Sequence, residues 1–510
     1  MPRKIIIIGA GLGGLALAAR LAHQGNEVHL FEKNAAPGGR VTQRKVRGYT
    51  IDLGPSFLLM PGEFEELFAY CREPLPKDWE LLPQHPLYRL HFANQSFLDI
   101  DSDIPTMQKN FHTYDAENAA QNFQSFLDFL AYEQEKYSIV YEKFITRPTK
   151  KITSLIFSRD IVSLFQLDGF HSMWENMHPF FDDENLKLAF SFQSMYIGES
   201  PLLTPGTYSI IPFIELTQGA WYPKKGMYSI IQHIEKLAKK KGVVFHYQQK
   251  VKEILIHERK TKGIELENGK IIHADVVISN LDLPATYHSL IPKEKRKKYT
   301  DEKLSKLRYG CSAFILCIGT TAHYEQLTHH NFFFSEDYKK NIDEIFQTHT
   351  IPMDPSFYVN VSTKTNPSIA PKGKNLFYVL VLVPRSAEKD GKKVDWPAYK
   401  KEYAQHVITL LEKKGLNGLS KKINMLEILT PDDWENMVGM HLGSTFGLSP
   451  IFSQSTIFRP NQKSEEFQNL YFVGASTHPG GGMPFVLISA RTCEKHMQDD
   501  FASKQEKTTE

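Results

Sequence analysis

The sequence predicts an α/β fold in which a parallel, helix-flanked sheet is interleaved with a mixed α+β part. Three observations predict it. A β-branched strand runs straight into a glycine-rich turn and helix over residues 5–22, an acidic residue closes the second strand at Glu32, and a late strand, glycine loop and helix begin at residue 470. At 510 residues the chain is long enough for two or more domains and a large core. Its 41% hydrophobic and 23% charged residues are those of an ordinary folded protein, which excludes disorder.

Residues 5–8 are isoleucine throughout, the unbroken apolar run expected of a strand buried on both faces. Gly9, Gly11 and Gly14 then form G-x-G-x-x-G. Gly9 permits a tight turn, Gly11 lets a pyrophosphate approach the backbone, and Gly14 lets helix and strand pack closely. Leu15, Ala18, Ala19 and Ala22 recur at helical spacing, so the amide-rich helix start points at the phosphate. Residues 27–31 make a second strand, and Glu32 stands where a carboxylate accepts hydrogen bonds from adenosine ribose hydroxyls. An acid here, rather than an arginine, argues against a 2′-phosphate. Strand, turn, helix, strand and acid in this order predict a Rossmann-like dinucleotide site for FAD or NAD.

The continuation, "PGGRVTQRKVRGYTIDLGP", separates the two. Gly38 and Gly39 allow close backbone approach, and Arg40 meets a diphosphate or orients the loop beside it. Residues 48–54 alternate apolar and polar like a strand returning to the site at Gly54. This stretch resembles the flavoprotein superfamily of amine oxidases, protoporphyrinogen oxidases and carotenoid desaturases, where G-G-R and a following D-x-G-P segment wrap FAD. The resemblance implies FAD as the cofactor.

In the middle of the chain, Phe123, Phe126, Leu127, Leu130, Tyr137, Val140 and Tyr141 fall mainly on one helical face, predicting core with a share lining a pocket. Residues 226–239 predict a helix, and residues 242–280 several short strands with hairpin turns at Lys262-Gly263 and Asn268-Gly269. In the superfamily this block carries the adenine-side strand, which implies a backbone contact at Val251. The basic run "PKEKRKKY" reads as a solvated face, with contact to anionic lipid as the alternative. Phe332, Phe333 and Phe334 predict a buried strand. His329 and His330 lack a third ligand, so no metal site is expected. Cys71, Cys311, Cys317 and Cys493 lack metal-binding spacing and read as small buried residues of a reducing compartment.

Near the C-terminus, "LYFVGASTHPGGGMP" predicts a strand that turns at Gly474-Ala475, a bare backbone through Gly480, Gly481 and Gly482, and a helix following Pro484. A helix start of this kind, with Gly482, Met483 and Pro484, directs amide dipoles at the N1/O2 edge of an isoalloxazine. The segment resembles bacterial and fungal-type phytoene desaturases and the related C30 diapophytoene desaturases, and the resemblance runs from about residue 4 to 495. It implies FAD-dependent desaturation of a colourless linear carotenoid precursor, phytoene, by hydride transfer to flavin. A 4,4′-diapophytoene desaturase and a carotenoid terminal-methyl oxygenase are alternatives on the same fold, and a non-catalytic FAD-fold escort protein is a remote one. His478, beside the flavin loop, is a candidate proton acceptor, with loop structure as its alternative place.

The expected division is an FAD-binding domain from residues 1–75, 222–300 and 430–497, a substrate and membrane-associating domain from 76–221 and 301–429, and a polar tail at 498–510. The expected partners are a hydrophobic polyene in an apolar tunnel, a membrane lipid surface, and oxygen or a quinone as electron acceptor. A net charge of +2 gives no case for nucleic acid. No run of about 18 apolar residues occurs and no leader pattern opens the chain, so a cytoplasmic protein, peripheral on the membrane, is expected.

Overall fold

Burial on both sides is what makes β1 (Lys4–Ile8) an unbroken apolar run. In the computed structural model, which describes residues 2–147, 167–455 and 458–509, Ile5 and Ile7 pack into one core and Ile6 and Ile8 into another. The first core holds α1 (Leu12–His23), the helix Tyr228–Lys240 and the C-terminal helix Met483–Thr509. The second holds Ile254, Ile264 and Tyr287.

β1 is the middle of a five-stranded parallel sheet. Its order is β21 (Leu470–Phe472), β13 (Val276–Ser279), β1, β2 (Glu27–Phe31) and β9 (Val244–His246). Beneath it lies an antiparallel sheet of β10 (Val251–His257), β11 (Lys260–Leu266) and β12 (Ile271–His273). The Asn268-Gly269 turn lies where the sequence predicts it, between β11 and β12. The Lys262-Gly263 turn does not. The first reversal is at Glu258-Arg259, both at positive φ, the conformation a two-residue hairpin of primed type requires. Gly263 sits inside β11 at φ +144°, where a Cβ would stand 2.0 Å from the Ile272 carbonyl oxygen, so it is a strand glycine under close backbone approach.

A seven-stranded sheet forms the other half. Its order is β20 (Ile423–Leu429), β14 (Ser312–Thr320), β17 (Asn375–Val383), β16 (Phe357–Asn360), β15 (His330–Phe333), β6 (Tyr88–His91) and β7 (Phe97–Ile100), antiparallel but for the β15–β6 pair. Its outer face packs on the helix Trp396–Lys413. Its inner face meets the hairpin of β3 (Thr42–Val46) and β4 (Tyr49–Leu53). Two short ribbons, β5 (Leu81–Pro83) with β8 (Trp221–Pro223) and β18 (Glu388–Lys389) with β19 (Lys392–Lys393), complete the strands described.

Where a polar tail is expected from residue 498, the described residues to 509 continue the C-terminal helix. Phe501 packs on the first core beneath Arg3, and Asp500 receives hydrogen bonds from Lys463 and Tyr471. Glu510 lies outside the described residues. The predicted aromatic stripe is on the helix Ala119–Val140 and its continuation, and it belongs to cores rather than to a pocket wall. Phe333 and Phe334 are buried in β15 and just beyond it, and all four cysteines are buried and unbridged. The basic run is tied down. Lys293 and Arg296 pair with Asp301, Lys298 with Glu465, and three successive backbone amides from Lys297 donate to Glu466. Among the described residues no helix is long and apolar enough to cross a membrane.

Candidate active site

A single cavity of about 610 Å³ runs from the C-terminal ends of β1 and β2 to the inner face of the seven-stranded sheet. The chain runs outward from β1 to β2 and β9 on one side and from β13 to β21 on the other, so the strand ends open a crevice there, as parallel α/β sheets do at such a switch point. Gly9, Gly11, Glu32, Gly39, Arg40, Gly54 and Val251 line the first part, and Gly474, Ala475, Gly482, Met483 and Pro484 border it from the C-terminal loop. The remainder is apolar and aromatic, with Phe192, Tyr196, Ile315, Phe332 and Leu380 in its wall.

Glu32 is 6% exposed, and two hydrogen bonds fix it. Its Oε2 accepts the Ala10 amide at 2.8 Å and its Oε1 the Asn34 amide at 2.9 Å. Carboxylate oxygens have further lone pairs, so the pinned group still accepts hydroxyls from a ligand. The start of α1 has Gly11 at its cap and no side chain capping its amides, which leaves them for an anion. Gly14 does not line the cavity. A Cβ there would stand 2.3 Å from the Gly9 carbonyl oxygen, so its bareness lets the helix close on the turn, as the spacing predicts. Gly54, at φ +108°, approaches the Arg40 carbonyl so closely that a Cβ would lie 1.9 Å from it.

Arg40 borders the cavity and is also held by two segments of the protein. Its guanidinium donates to both oxygens of Asp282, at 3.1 and 2.6 Å, and to the Thr445 carbonyl at 3.1 Å. His478 is not among the residues bordering the cavity. It is 2% exposed, its amide donates to the Pro460 carbonyl at 2.9 Å and its carbonyl accepts Gln462 Nε2 at 2.5 Å. Those backbone contacts tie its loop to the 460–462 segment.

Other residues at the site carry no sequence signal of their own. Asn280, one residue past β13, donates from Nδ2 to the Val473 carbonyl at 2.8 Å, and its Oδ1 occupies the space a Gly11 side chain would take. Arg459 is buried with its guanidinium on the Ala475 carbonyl at 2.6 Å, and burial lowers its pKa. Glu215 lies on the helix Ile210–Gln218, whose Ile211 and Ile214 face the cavity. Its Oε2 accepts the Tyr88 hydroxyl at 3.0 Å, and burial pushes its carboxyl up to about 8. The only hint of Asn280 is its place at the end of the predicted strand, just past Ser279.

A bare glycine cradle, an uncapped helix start and a pinned carboxylate fit FAD's adenosine and diphosphate, and the adjoining apolar space fits an oily co-substrate. The family model for flavin containing amine oxidoreductases matches residues 12–493. The chain is 40% identical over 490 residues to the zeta-carotene-forming phytoene desaturase of Myxococcus xanthus, spanning 96% of this chain and 92% of that protein. It is 33% identical to the 4,4′-diapolycopene-forming 4,4′-diapophytoene desaturase of a Methylomonas species, spanning 97% and 94%. An oxidoreductase from Methanosarcina mazei shares the fold, with a TM-score of 0.63 at 20% identity over 96% of this chain and 100% of that one.

Proposed function

The chain belongs to the flavin-containing amine oxidoreductases, on their carotenoid desaturase branch, and from that premise we propose that it desaturates phytoene, a colourless linear carotenoid precursor. It is an FAD-dependent oxidoreductase acting on CH–CH bonds. The observation that carries the substrate is the cavity, whose dinucleotide end opens without a break into an apolar aromatic channel. A polyene has no charge and almost no polar group, so such a wall binds it by burial alone.

Bound FAD supplies the two-electron acceptor that takes a hydride from a carbon beside an existing double bond. The protein's residues hold that cofactor and shape its surroundings. Glu32 would hold the ribose hydroxyls, the amides at the start of α1 the diphosphate, and the backbone at Gly474, Ala475, Gly482 and Met483 the flavin edge. The Arg40–Asp282 pair keeps the 38–40 loop closed over the crevice. Phe192, Phe332 and Leu380 exclude water from the apolar part. Oxygen or a membrane quinone receives the electrons afterwards.

An oily substrate enters from a bilayer, and one surface feature supports a place for it. Phe170, Phe452 and Phe458 are 65, 43 and 39% exposed, with ring centroids 5.2 and 5.4 Å apart along the row. Phe452 and Phe458 stand close in sequence to Pro450 and Arg459, which line the cavity. With the basic run engaged by its own acids, this aromatic row is the better lipid contact.

The test is expression beside a phytoene synthase or a diapophytoene synthase, followed by product masses. Loss of two hydrogens per step from phytoene supports the reading. Action on the C30 precursor alone moves the substrate to diapophytoene, and gain of oxygen makes the enzyme a terminal oxygenase instead.

A further inference from the structure

The paired histidines have no task in the reaction so far, yet they stand directly behind the cavity wall. Ser56 and Tyr358 border the cavity. The Tyr358 hydroxyl lies 2.7 Å from Ser56 Oγ and 2.7 Å from His330 Nδ1. His330 is fully buried, its ring lies edge-to-face with Phe57 at 5.2 Å, and its Nε2 has no hydrogen-bond partner. His329 stacks on it at 4.2 Å between centroids, and His329 Nδ1 reaches the Thr365 hydroxyl beside the exposed Lys364. A hydrogen-bonded polar row thus runs from an otherwise oily wall to the buried His330, with His329 stacked behind it.

One tyrosine hydroxyl has one proton to donate, so this row has two proton arrangements on one set of heavy atoms. In the first, Tyr358 donates to Ser56 and His330 Nδ1–H donates to Tyr358. In the second, Ser56 donates to Tyr358, and Tyr358 donates to a bare Nδ1, which Asn360 Nδ2 also approaches at 3.2 Å. Moving between them shifts a proton from the cavity side to the histidine with little movement of the chain. Desolvation by burial, and secondarily His329, hold the His330 pKa well below its usual value, so the ring is neutral at rest.

We propose that Ser56, Tyr358 and His330 form a proton relay that carries away the proton released as the new double bond forms. The inference rests on the desaturase reading above. Two hydrogens leave neighbouring carbons. One leaves as hydride, with two electrons, to the flavin oxidant. The other leaves as a proton, and its C–H pair becomes the second bond of C=C. Ser56 takes that proton and passes its own to Tyr358, and Tyr358 passes its own to His330 Nδ1. Each hydroxyl gives one proton and gains one, so the charge ends on the imidazole. An allylic cation is a far stronger acid than an imidazolium, so even a weakly basic histidine accepts from it. The Nε2 of His330 is unpartnered and His329 only stacks against the ring, so the imidazolium returns the proton along the same row to water once the product has left the cavity.

The experiment follows anaerobic flavin bleaching in FAD-loaded protein with phytoene in vesicles, in H2O and in D2O. Wild type is expected to bleach with a solvent isotope effect. Tyr358→Phe and Ser56→Ala are expected to bleach roughly 100-fold more slowly, with that isotope effect altered and the flavin spectrum and phytoene binding unchanged. Ser56→Thr, which keeps the hydroxyl, retains most of the rate. Should Tyr358→Phe fail to hold FAD, the smaller Ser56→Ala change decides alone. Variants that bleach at the wild-type rate and isotope effect overturn the relay, as does a slower rate with the isotope effect untouched. A wild type that phytoene and diapophytoene both leave unbleached ends the desaturase reading, and the relay with it.

Discussion

Arg40 grips Asp282 through two hydrogen bonds of 3.1 and 2.6 Å, joining the loop after β2 to the turn after β13 across 242 residues of sequence. The pair is partly shielded, with the Asp282 side chain 5% exposed, so it is screened far less than a surface ion pair. Its effect is to fix two segments that both border the cofactor end of the cavity. Asp282→Asn keeps the shape and removes the charge. Titration of the apoprotein with FAD, read by flavin fluorescence, is expected to show about tenfold weaker binding, roughly 1.4 kcal/mol, in line with loss of a charge-assisted bidentate contact. An unchanged dissociation constant would refute a closing role for the pair.

Glu32 lines the same end of the cavity. Its carboxylate already satisfies two backbone amides, so Glu32→Ala removes a ligand acceptor and also strands the Ala10 and Asn34 amides. Glu32→Gln keeps one good acceptor. The expected order of FAD affinity is wild type, then Gln, then Ala, with Ala weaker by on the order of 2–3 kcal/mol. Equal losses in the two variants would show that the carboxylate only braces the turn.

What the sequence makes legible here is local. Residues 5–32 declare a strand, a turn, a helix and an acid because each group acts within a few residues of its neighbour, and the structure places them as that pattern predicts. Asn280 and Arg459 escape such a reading. Their roles exist only once β13, β21 and the C-terminal loop are brought side by side, and a lone Asn or Arg carries no periodicity. The misplaced hairpin has a similar cause. Lys-Gly is a turn signal in isolation, but β12 approaching over Gly263 uses the same glycine as a strand residue, and the chain reverses at Glu258-Arg259 instead. Residues 498–510 look like a tail because their composition is polar, whereas Phe501 and Asp500 find partners only in the folded chain.

Gly14 and Gly62 offer a controlled comparison of two helical glycines. A Cβ on Gly14 would meet the Gly9 carbonyl oxygen at 2.3 Å, whereas one on Gly62 meets nothing within 4 Å. Backbone cannot swing aside as a flexible side chain can. Gly14→Ala is therefore expected to destabilise by about 1–3 kcal/mol and to lose FAD. Gly62→Ala is expected to be neutral, or to gain up to about 1 kcal/mol from helix propensity. Thermal unfolding with and without FAD checks both, and a Gly14→Ala protein as stable as its parent would contradict the close packing.

Glu215 makes the protein's stability depend on pH in a direction opposite to that of an ordinary ion-paired carboxylate. An unfolded glutamate titrates near about 4.3, while burial holds the folded Glu215 carboxyl protonated up to about 8. Between those values the native state binds one more proton than the unfolded chain, so this group's contribution falls as pH rises through that window and levels off above it. Glu215→Gln removes the titration and keeps an oxygen for the Tyr88 hydroxyl, which lies 3.0 Å from the carboxylate. Urea unfolding of the FAD-saturated proteins should find the variant more stable than its parent at pH 8, by on the order of 2 kcal/mol. The gap should close toward pH 5, where the parent's carboxyl is neutral in the fold at little cost. A difference that is constant from pH 5 to pH 8 would mean that Glu215 ionises freely in the native protein, and that water or a cation reaches it through the cavity.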